Sequence, residues 1–208
     1  MSKKFLRFIT NKWSLLGAGL MLGAVAILGI RFFSYQPETV HYHANFAVYV
    51  NGRQELFKGM QYYEETAAKS CTLEVAKDAA ERAHMHDNVN SVVHVEDHLV
   101  TWGHFFQNLG YGIGDNYLKT ADQVYLSDDQ NHLTFILNGK KVNNIANTII
   151  GDQDKLLVSY GTDSGDQLQK QYDGIQNKAK KYDEQQDPAS CSGSHVKVDT
   201  SERLKHLF

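Results

Sequence analysis

The first strong pattern along the chain is an apolar run near the N-terminus. From Trp13 to Ile30 the sequence reads WSLLGAGLMLGAVAILGI, 18 residues without a charged side chain. A run of this length reaches the lower end of what a helix needs to cross a bilayer. The pattern predicts a transmembrane anchor over residues 13–31, which follows a short basic segment at residues 1–12.

The charges around this run predict its orientation. Four basic residues and no acidic residue precede it: Lys3, Lys4, Arg7 and Lys12. By the positive-inside rule the N-terminus stays in the cytoplasm and the chain beyond Arg31 lies outside. Ala24-Val25-Ala26 also resembles the cleavage site of a signal peptide, but the apolar run continues past it to Ile30, which favours an uncleaved anchor. The prediction is a single-pass protein of the cell membrane with an extracytoplasmic C-terminal domain.

Beyond the anchor the apolar positions follow the two-residue period of β-strands. Residues 40–50 alternate in this way, and Asn51-Gly52 then favours a tight hairpin turn. The same Asn-Gly turn signal recurs at Asn138-Gly139. The remaining strand predictions are Ser91–Glu96, His132–Leu137, Lys140–Val142 and Lys155–Tyr160.

Two segments show the period of a helix instead. Trp102, Phe105, Phe106 and Leu109 share one helical face between Thr101 as N-cap and Gly110 as the stop. A narrow apolar stripe at positions 168, 172, 175, 179 and 182 predicts a helix lying against the domain surface. The predicted fold class is α+β: a transmembrane helix, a mainly antiparallel β domain with short helices at residues 38–162, and a polar helical tail at residues 163–208.

Charge narrows the set of partners. The chain has 21 Lys and Arg against 24 Asp and Glu, a net charge of −3, so it lacks the basic excess of a nucleic-acid-binding protein. Residues 1–31 hold five basic and no acidic residues, which leaves a net charge of −8 for the remainder. The predicted partners are the lipid bilayer, through residues 13–31, and a metal ion.

The two cysteines, Cys71 and Cys191, both follow the anchor. In an oxidising compartment a disulfide between them is the simplest pairing, and closing so long a loop would contribute on the order of 4–5 kcal/mol in the chain-entropy model. The competing interpretation assigns Cys71 to a metal.

The ten histidines are unevenly distributed: none precedes His41, and five fall within the 21 positions from 84 to 104. His41 and His43 share one face of the first predicted strand, opposite its apolar row. His84 and His86 repeat this spacing, and the turn residues 87–90 favour folding their strand back onto the strand of His94.

Imidazoles that converge from neighbouring strands are typical of transition-metal centres. The predicted metal ligands are His41, His43, His84, His86 and His94, with Glu96 and His98 in reserve. Nitrogen and oxygen ligands in an external location suit a copper or zinc ion, between which the sequence does not distinguish. The alternative is a solvent-exposed or pH-sensing histidine face that binds no metal.

The sequence contains no H-E-x-x-H, G-x-S-x-G or Walker motif. The leading interpretation is therefore a membrane-anchored protein that binds, buffers or delivers metal at the cell surface. Two alternatives remain open. One is a metal-dependent extracytoplasmic enzyme, a hydrolase or oxidoreductase, in which a base such as Glu96 faces the ion. The other is an adhesion or envelope-interaction module.

Five segments also carry a family resemblance: HYHANF at 41–46, HMHD at 84–87, VHVE at 93–96, TWGHFFQNLG at 101–110 and FILNGK at 135–140. The chain resembles a group of uncharacterised membrane-anchored proteins of candidate-phyla bacteria and, more distantly, is similar to archaeal extracytoplasmic domains with H-x-H-D and V-x-H-x-E patterns. The resemblance covers about residues 12–192, including Cys71 and Cys191. It implies a common design of anchor, histidine sites and cysteines, but no established activity. Where related sequences would offer a third H-x-H, this chain has Glu96.

Overall fold

The computed structural model describes residues 11–35, 40–63, 82–85, 88–184 and 200–207. The chain divides into two compact units, Met1–Glu38 with Lys197–Phe208 and Thr39–Val196. The described helices are α1 (Lys12–Ser34), α2 (Trp102–Asn108), α3 (Asp166–Asp173), α4 (Ala179–Glu184) and α5 (Thr200–Lys205). The described strands are β1 (Tyr42–Val50), β2 (Arg53–Gln54), β3 (Ala83–His84), β4 (Val92–Val95), β5 (Gly112–Ile113), β6 (Tyr117–Lys119), β7 (Val124–Leu126), β8 (His132–Leu137), β9 (Lys140–Val142) and β10 (Lys155–Gly161).

Helix α1 matches the predicted apolar segment. It has 23 residues, an 18-residue window with a mean hydropathy of 2.0, and no buried residue. The side-chain oxygen of Asn11 caps its first turn by accepting the Trp13 N–H at 3.2 Å. The helix is long and apolar enough to cross a membrane.

The second unit, Thr39–Val196, contains a seven-stranded sheet. Its order is β3-β4-β1-β10-β8-β9, and β2 pairs with the C-terminal end of β1. Neighbouring strands are antiparallel except for β1 and β10, which run parallel from Asn45 opposite Lys155 to Val50 opposite Tyr160. A smaller antiparallel sheet contains β5, β6 and β7. The α+β fold class is confirmed, with one parallel pairing that the local sequence pattern did not predict.

The two predicted hairpin turns are present. Asn51 and Gly52 have φ angles of 49° and 75° between β1 and β2, and Asn138 and Gly139 have φ angles of 50° and 77° between β8 and β9. Positive φ at both central positions is what a type I′ turn requires, and Asn followed by Gly adopts it at the least steric cost. These turns fix the register of the hairpins.

The main core lies on one face of the large sheet. Phe46 from β1 and Leu156 from β10 are fully buried there. Trp102, Phe105 and Phe106 of α2 belong to the same hydrophobic cluster. Helix α2 begins as predicted, because the Thr101 hydroxyl caps its first turn. The rings pack mostly edge to face, such as Phe46 against Phe105 with centroids 4.9 Å apart.

The opposite face of the sheet is covered by the C-terminal helices. The apolar stripe predicted there forms two helices rather than one, because α3 ends at Gly174 and α4 starts again at Ala179. Helix α3 packs against β10 and α4 against β1. Ile175, between the two helices, packs with Ala47 and Leu157 of the sheet. The prediction of helical packing against the domain is therefore confirmed, with a break in the helix.

Candidate metal centre

Strand register aligns three histidines across the sheet. His43 on β1 lies opposite His94 on β4, and His94 lies opposite His84 on β3. Directly opposed residues of antiparallel strands project from the same face. The three imidazoles therefore form one row across three strands, on the face that α4 covers. The predicted fold-back of the His84 strand onto the His94 strand is present.

His41 completes a compact cluster with two members of this row. One ring nitrogen from each of His41, His43 and His94 lies within 4.8 Å of the other two. His41 is two residues before His43, so both project from the same side of the chain. His43 and His94 are buried at 1% and 2% exposure, while His41 is half-buried at the rim.

Each buried imidazole of the cluster bonds a carboxylate. Nδ1 of His43 lies 2.8 Å from Oδ1 of Asp183, and Nε2 of His94 lies 3.0 Å from Oε1 of Glu96. The remaining ring nitrogens, Nε2 of His43 and Nδ1 of His94, are 2.8 Å apart. The result is a continuous chain of polar contacts from Asp183 through both rings to Glu96.

The carboxylate partners also assign the ring protons. A carboxylate oxygen accepts hydrogen bonds, so His43 carries its N–H at Nδ1 and His94 carries its N–H at Nε2. In the neutral rings, Nε2 of His43 and Nδ1 of His94 then present lone pairs to each other at 2.8 Å. Two lone pairs this close repel unless a cation, either a proton or a metal ion, lies against them. The arrangement can thus accommodate a cation.

Helix α4 reaches the cluster because Asn45 holds its start. The buried Asn45 Oδ1 accepts the backbone N–H groups of Lys178 at 2.7 Å and Ala179 at 2.8 Å. The first N–H groups of a helix have no partner within the helix, so this side chain from the sheet serves as the cap. One turn further on, Asp183 Oδ1 also accepts the backbone N–H of His43 at 3.0 Å.

Two acidic residues, Asp152 and Asp183, lie near His43 at this end of the sheet. Burial raises the pKa of Asp183, while the hydrogen bond from the His43 backbone lowers it. The pKa of Asp152 is also raised, first by its loss of water contact and then by the negative charge of Asp183. Asp152 and Asp183 thus place two acidic groups beside His43.

A small cleft opens beside the two buried rings. It is lined by His43, Val89, Val92, His94 and Tyr182 and has a volume of about 10 Å³. A cavity of that volume holds roughly one water molecule. The cleft has space for a single ion or water next to the imidazoles.

The other predicted site residues have different placements. His84 is buried, and its ring centroid lies 4.9 Å from that of His94, on the strand away from His43. His98 is exposed, and its backbone N–H and carbonyl bond Asp97 and Arg82. His86, Cys71 and Cys191 lie outside the described residues, so the role of His86 as a ligand and the Cys71–Cys191 disulfide stay predictions.

Two residues that position the site were not predicted from the sequence. Asp183 is 140 positions from His43, and no local pattern distinguishes it from the other acidic residues of the tail. Asn45 could have been noticed, since it follows His41 and His43 at the same two-residue spacing. Its function as a helix cap depends on where α4 packs.

Comparison of the chain with protein-family models, with curated proteins and with solved structures finds no match. The class of protein is therefore defined by the fold and the site. The chain has an N-terminal helix able to span a membrane and an α+β domain whose His41, His43 and His94 could hold a metal ion.

Proposed function

We propose that this chain is a membrane-anchored, extracytoplasmic protein that binds copper or zinc and buffers or delivers it at the cell surface. The observation that carries the proposal is the convergence of His41, His43 and His94 within 4.8 Å. Imidazole nitrogen is a preferred ligand of both ions. The proposal extends to the membrane-anchored bacterial group that the chain resembles, which would share the anchor and the histidine centre.

The contacts around the ligands support metal binding. Histidines that ligate a metal usually donate their second ring N–H to a carboxylate or carbonyl, which fixes the tautomer and makes the ligating nitrogen more basic. Asp183 does this for His43, and Glu96 does it for His94. In the proposed site the ion takes the position between Nε2 of His43 and Nδ1 of His94, and His41 supplies a third nitrogen from the rim.

Binding requires a small movement of the two rings. Two nitrogens that ligate one tetrahedral ion at about 2.0–2.1 Å stand roughly 3.3 Å apart. The 2.8 Å between the facing nitrogens of His43 and His94 therefore widens by about half an ångström. The neighbouring cleft of about 10 Å³ gives the rings and the ion room for this shift.

The geometry favours binding over catalysis. An enzyme would need a general base directed at the metal-bound water and a pocket for substrate. Glu96 instead contacts the outer nitrogen of His94, and the cleft beside the cluster has room for about one water molecule. An adhesion module with dispersed histidines would not need to gather three of them on one face. His84, His86 and His98 remain predicted as further ligands.

The membrane component of the proposal is supported by α1 and the charges around it. Its 18-residue apolar window follows basic residues, which favours an N-terminus in the cytoplasm. A C-terminal fusion to alkaline phosphatase, which is active only outside the cytoplasm, should be active in bacterial cells. Fluorescence from a C-terminal fusion to a fluorescent protein that folds only in the cytoplasm would contradict this orientation.

Metal analysis of the full chain in detergent tests the binding function. After loading with Zn(II) or Cu(II) and desalting, the wild type should retain one ion per chain, whereas His43→Ala and His94→Ala, which each remove a proposed ligand, should lose most of the metal. His132→Ala is the matched control, because His132 is exposed on β8. Circular dichroism verifies that each variant is folded.

For the copper form, electron paramagnetic resonance adds a readout specific to the ligands. Nitrogen hyperfine coupling should be present in the wild type and reduced in His41→Ala, which removes the third nitrogen. Substoichiometric metal in the wild type, or full retention by folded His43→Ala, would overturn the proposed metal centre.

A further inference from the structure

The C-terminal helix α5 caps the end of the apolar helix α1. Nη1 of Arg203 donates to the carbonyl oxygens of Phe32 at 2.7 Å, Phe33 at 3.4 Å and Tyr35 at 3.1 Å. Carbonyls in the last turn of a helix have no partner within the helix, and a cation there also complements the helix dipole. The guanidinium group therefore satisfies the C-terminal end of α1.

Three further contacts link residues 200–207 to the end of α1. Nη2 of Arg31 donates to the carbonyl of His206 at 3.0 Å, and the rings of Tyr35 and His206 stack with centroids 4.4 Å apart. The Arg203 guanidinium also lies 5.8 Å from the centre of the Phe32 ring. Polar and aromatic contacts thus link α5 and His206 to the last turn of α1.

The exposed groups around this junction are both apolar and basic. Phe33 and Leu204 expose 80% and 52% of their surface, and Arg31 and Lys205 are exposed beside them. Aromatic rings and basic side chains together are typical of the level where a membrane helix leaves the hydrocarbon and meets the lipid headgroups. The junction therefore has the composition of a membrane–water interface.

We propose that residues 200–207 form an interfacial segment that lies in the headgroup layer where α1 leaves the bilayer, with Lys205 and Arg31 facing the phosphates of anionic lipids. This rests on the anchor component of the proposed function and is independent of the metal centre. A six-residue helix is marginal in water, so α5 needs the end of α1 and the lipid surface to persist.

Depth-dependent fluorescence quenching in vesicles tests this location. The full chain carrying Trp13→Phe and Leu204→Trp is reconstituted in phosphatidylcholine with and without phosphatidylglycerol, using lipids brominated near the headgroup or near the chain end. Native Trp102 is fully buried and provides a constant background. The Leu204→Trp indole should be quenched more strongly by the shallow bromine, and more strongly when phosphatidylglycerol is present.

The same background with Leu20→Trp serves as the anchor control, because Leu20 lies inside the apolar run of α1. Its indole should be quenched more strongly by the deep bromine. Quenching at position 20 without quenching at position 204 would overturn the interfacial segment and leave the anchor intact. Absence of quenching at both positions would overturn the anchor itself.

Removal of a basic side chain tests the attraction to anionic lipids. Lys205→Ala should lower the ratio of membrane-bound to free α5 in anionic vesicles about fivefold, which corresponds to one basic residue near the surface. Lys141→Ala is the matched control, since this exposed lysine lies on β9. Equal quenching with and without phosphatidylglycerol would contradict the recognition of anionic lipids. Quenching that depends on the protein-to-lipid ratio would indicate a second copy of the chain as the partner instead.

Discussion

The face of the large sheet that α3 and α4 cover has an apolar half and a polar half. Under α3, Ala47 and Leu157 pack with Ile175 in a small hydrophobic cluster. Under α4, the buried groups are instead His43 and His94, which bond each other and two carboxylates. Adjacent helices of the same tail thus cover surfaces of opposite chemistry.

Burial of side chains contributes differently to the stability of the two halves. Packing aliphatic side chains stabilises the fold directly, at about 25 cal/mol per Å² of apolar surface. Burying imidazoles and carboxylates gains little, since each must replace its lost water contacts with hydrogen bonds. A polar cluster that contributes little stability is most readily explained by a ligand, and the comparison therefore supports separate structural and binding roles for the two halves.

The largest expected effect on stability lies in the apolar half. Leu157→Ala should lower the free energy of unfolding by about 2–5 kcal/mol, because it removes a fully buried side chain and leaves a cavity. Denaturant unfolding measures this change, and metal analysis of the folded fraction should still find one ion per chain. The exposed Leu126→Ala control should change stability by less than about 0.5 kcal/mol. Loss of metal from folded Leu157→Ala would contradict the separation of roles.

A substitution in the polar half should lower metal affinity more than it lowers stability. Asp183→Asn keeps the size of the side chain but removes the charge that orients His43, so metal affinity should fall about 10–100-fold. Competition against a chelator of known affinity measures this, and unfolding measurements should detect a smaller change than in Leu157→Ala. Asp173→Asn, at an exposed acid of α3, is the control. An affinity within twofold of the wild type would show that Asp183 does not support the ligand.

The smallest expected effect is at the boundary between the halves. Asn45→Ala removes the acceptor for two N–H groups at the start of α4 and should cost about 1–2 kcal/mol. Hydrogen exchange should accelerate at Lys178 and Ala179 but not within α3. The exposed Asn116→Ala variant should change neither. Unchanged exchange at Lys178 in Asn45→Ala would mean that α4 keeps its position without this cap.

Local sequence patterns predicted most of the individual elements. The two Asn-Gly turns, the strands beside them and the helix begun by Thr101 depend on residues close in the chain. The spacing of His41 and His43, and the fold-back that brings His84 to His94, also follow from strand period and turn chemistry. These predictions succeed because the forces that decide them act within a few residues.

Contacts between segments far apart in the sequence could not be predicted from local patterns. The parallel pairing of β1 with β10 joins segments about a hundred residues apart, and no local signal specifies it. The break of the tail into α3 and α4 depends partly on Asn45, which offers α4 a cap from the opposite layer. The contact of Asp183 with His43 likewise exists only because α4 packs on β1.

The sequence by itself therefore determined the apolar helix, the strand and turn pattern, and which histidines share a face. The tertiary structure decided that His41, His43 and His94 converge, that His43 and His94 are buried beneath α4, and which carboxylates contact those two rings. The physical reason is that periodicity assigns a side chain to one face of its own element. Burial and electrostatic partners, in contrast, come from whichever other element packs against that face.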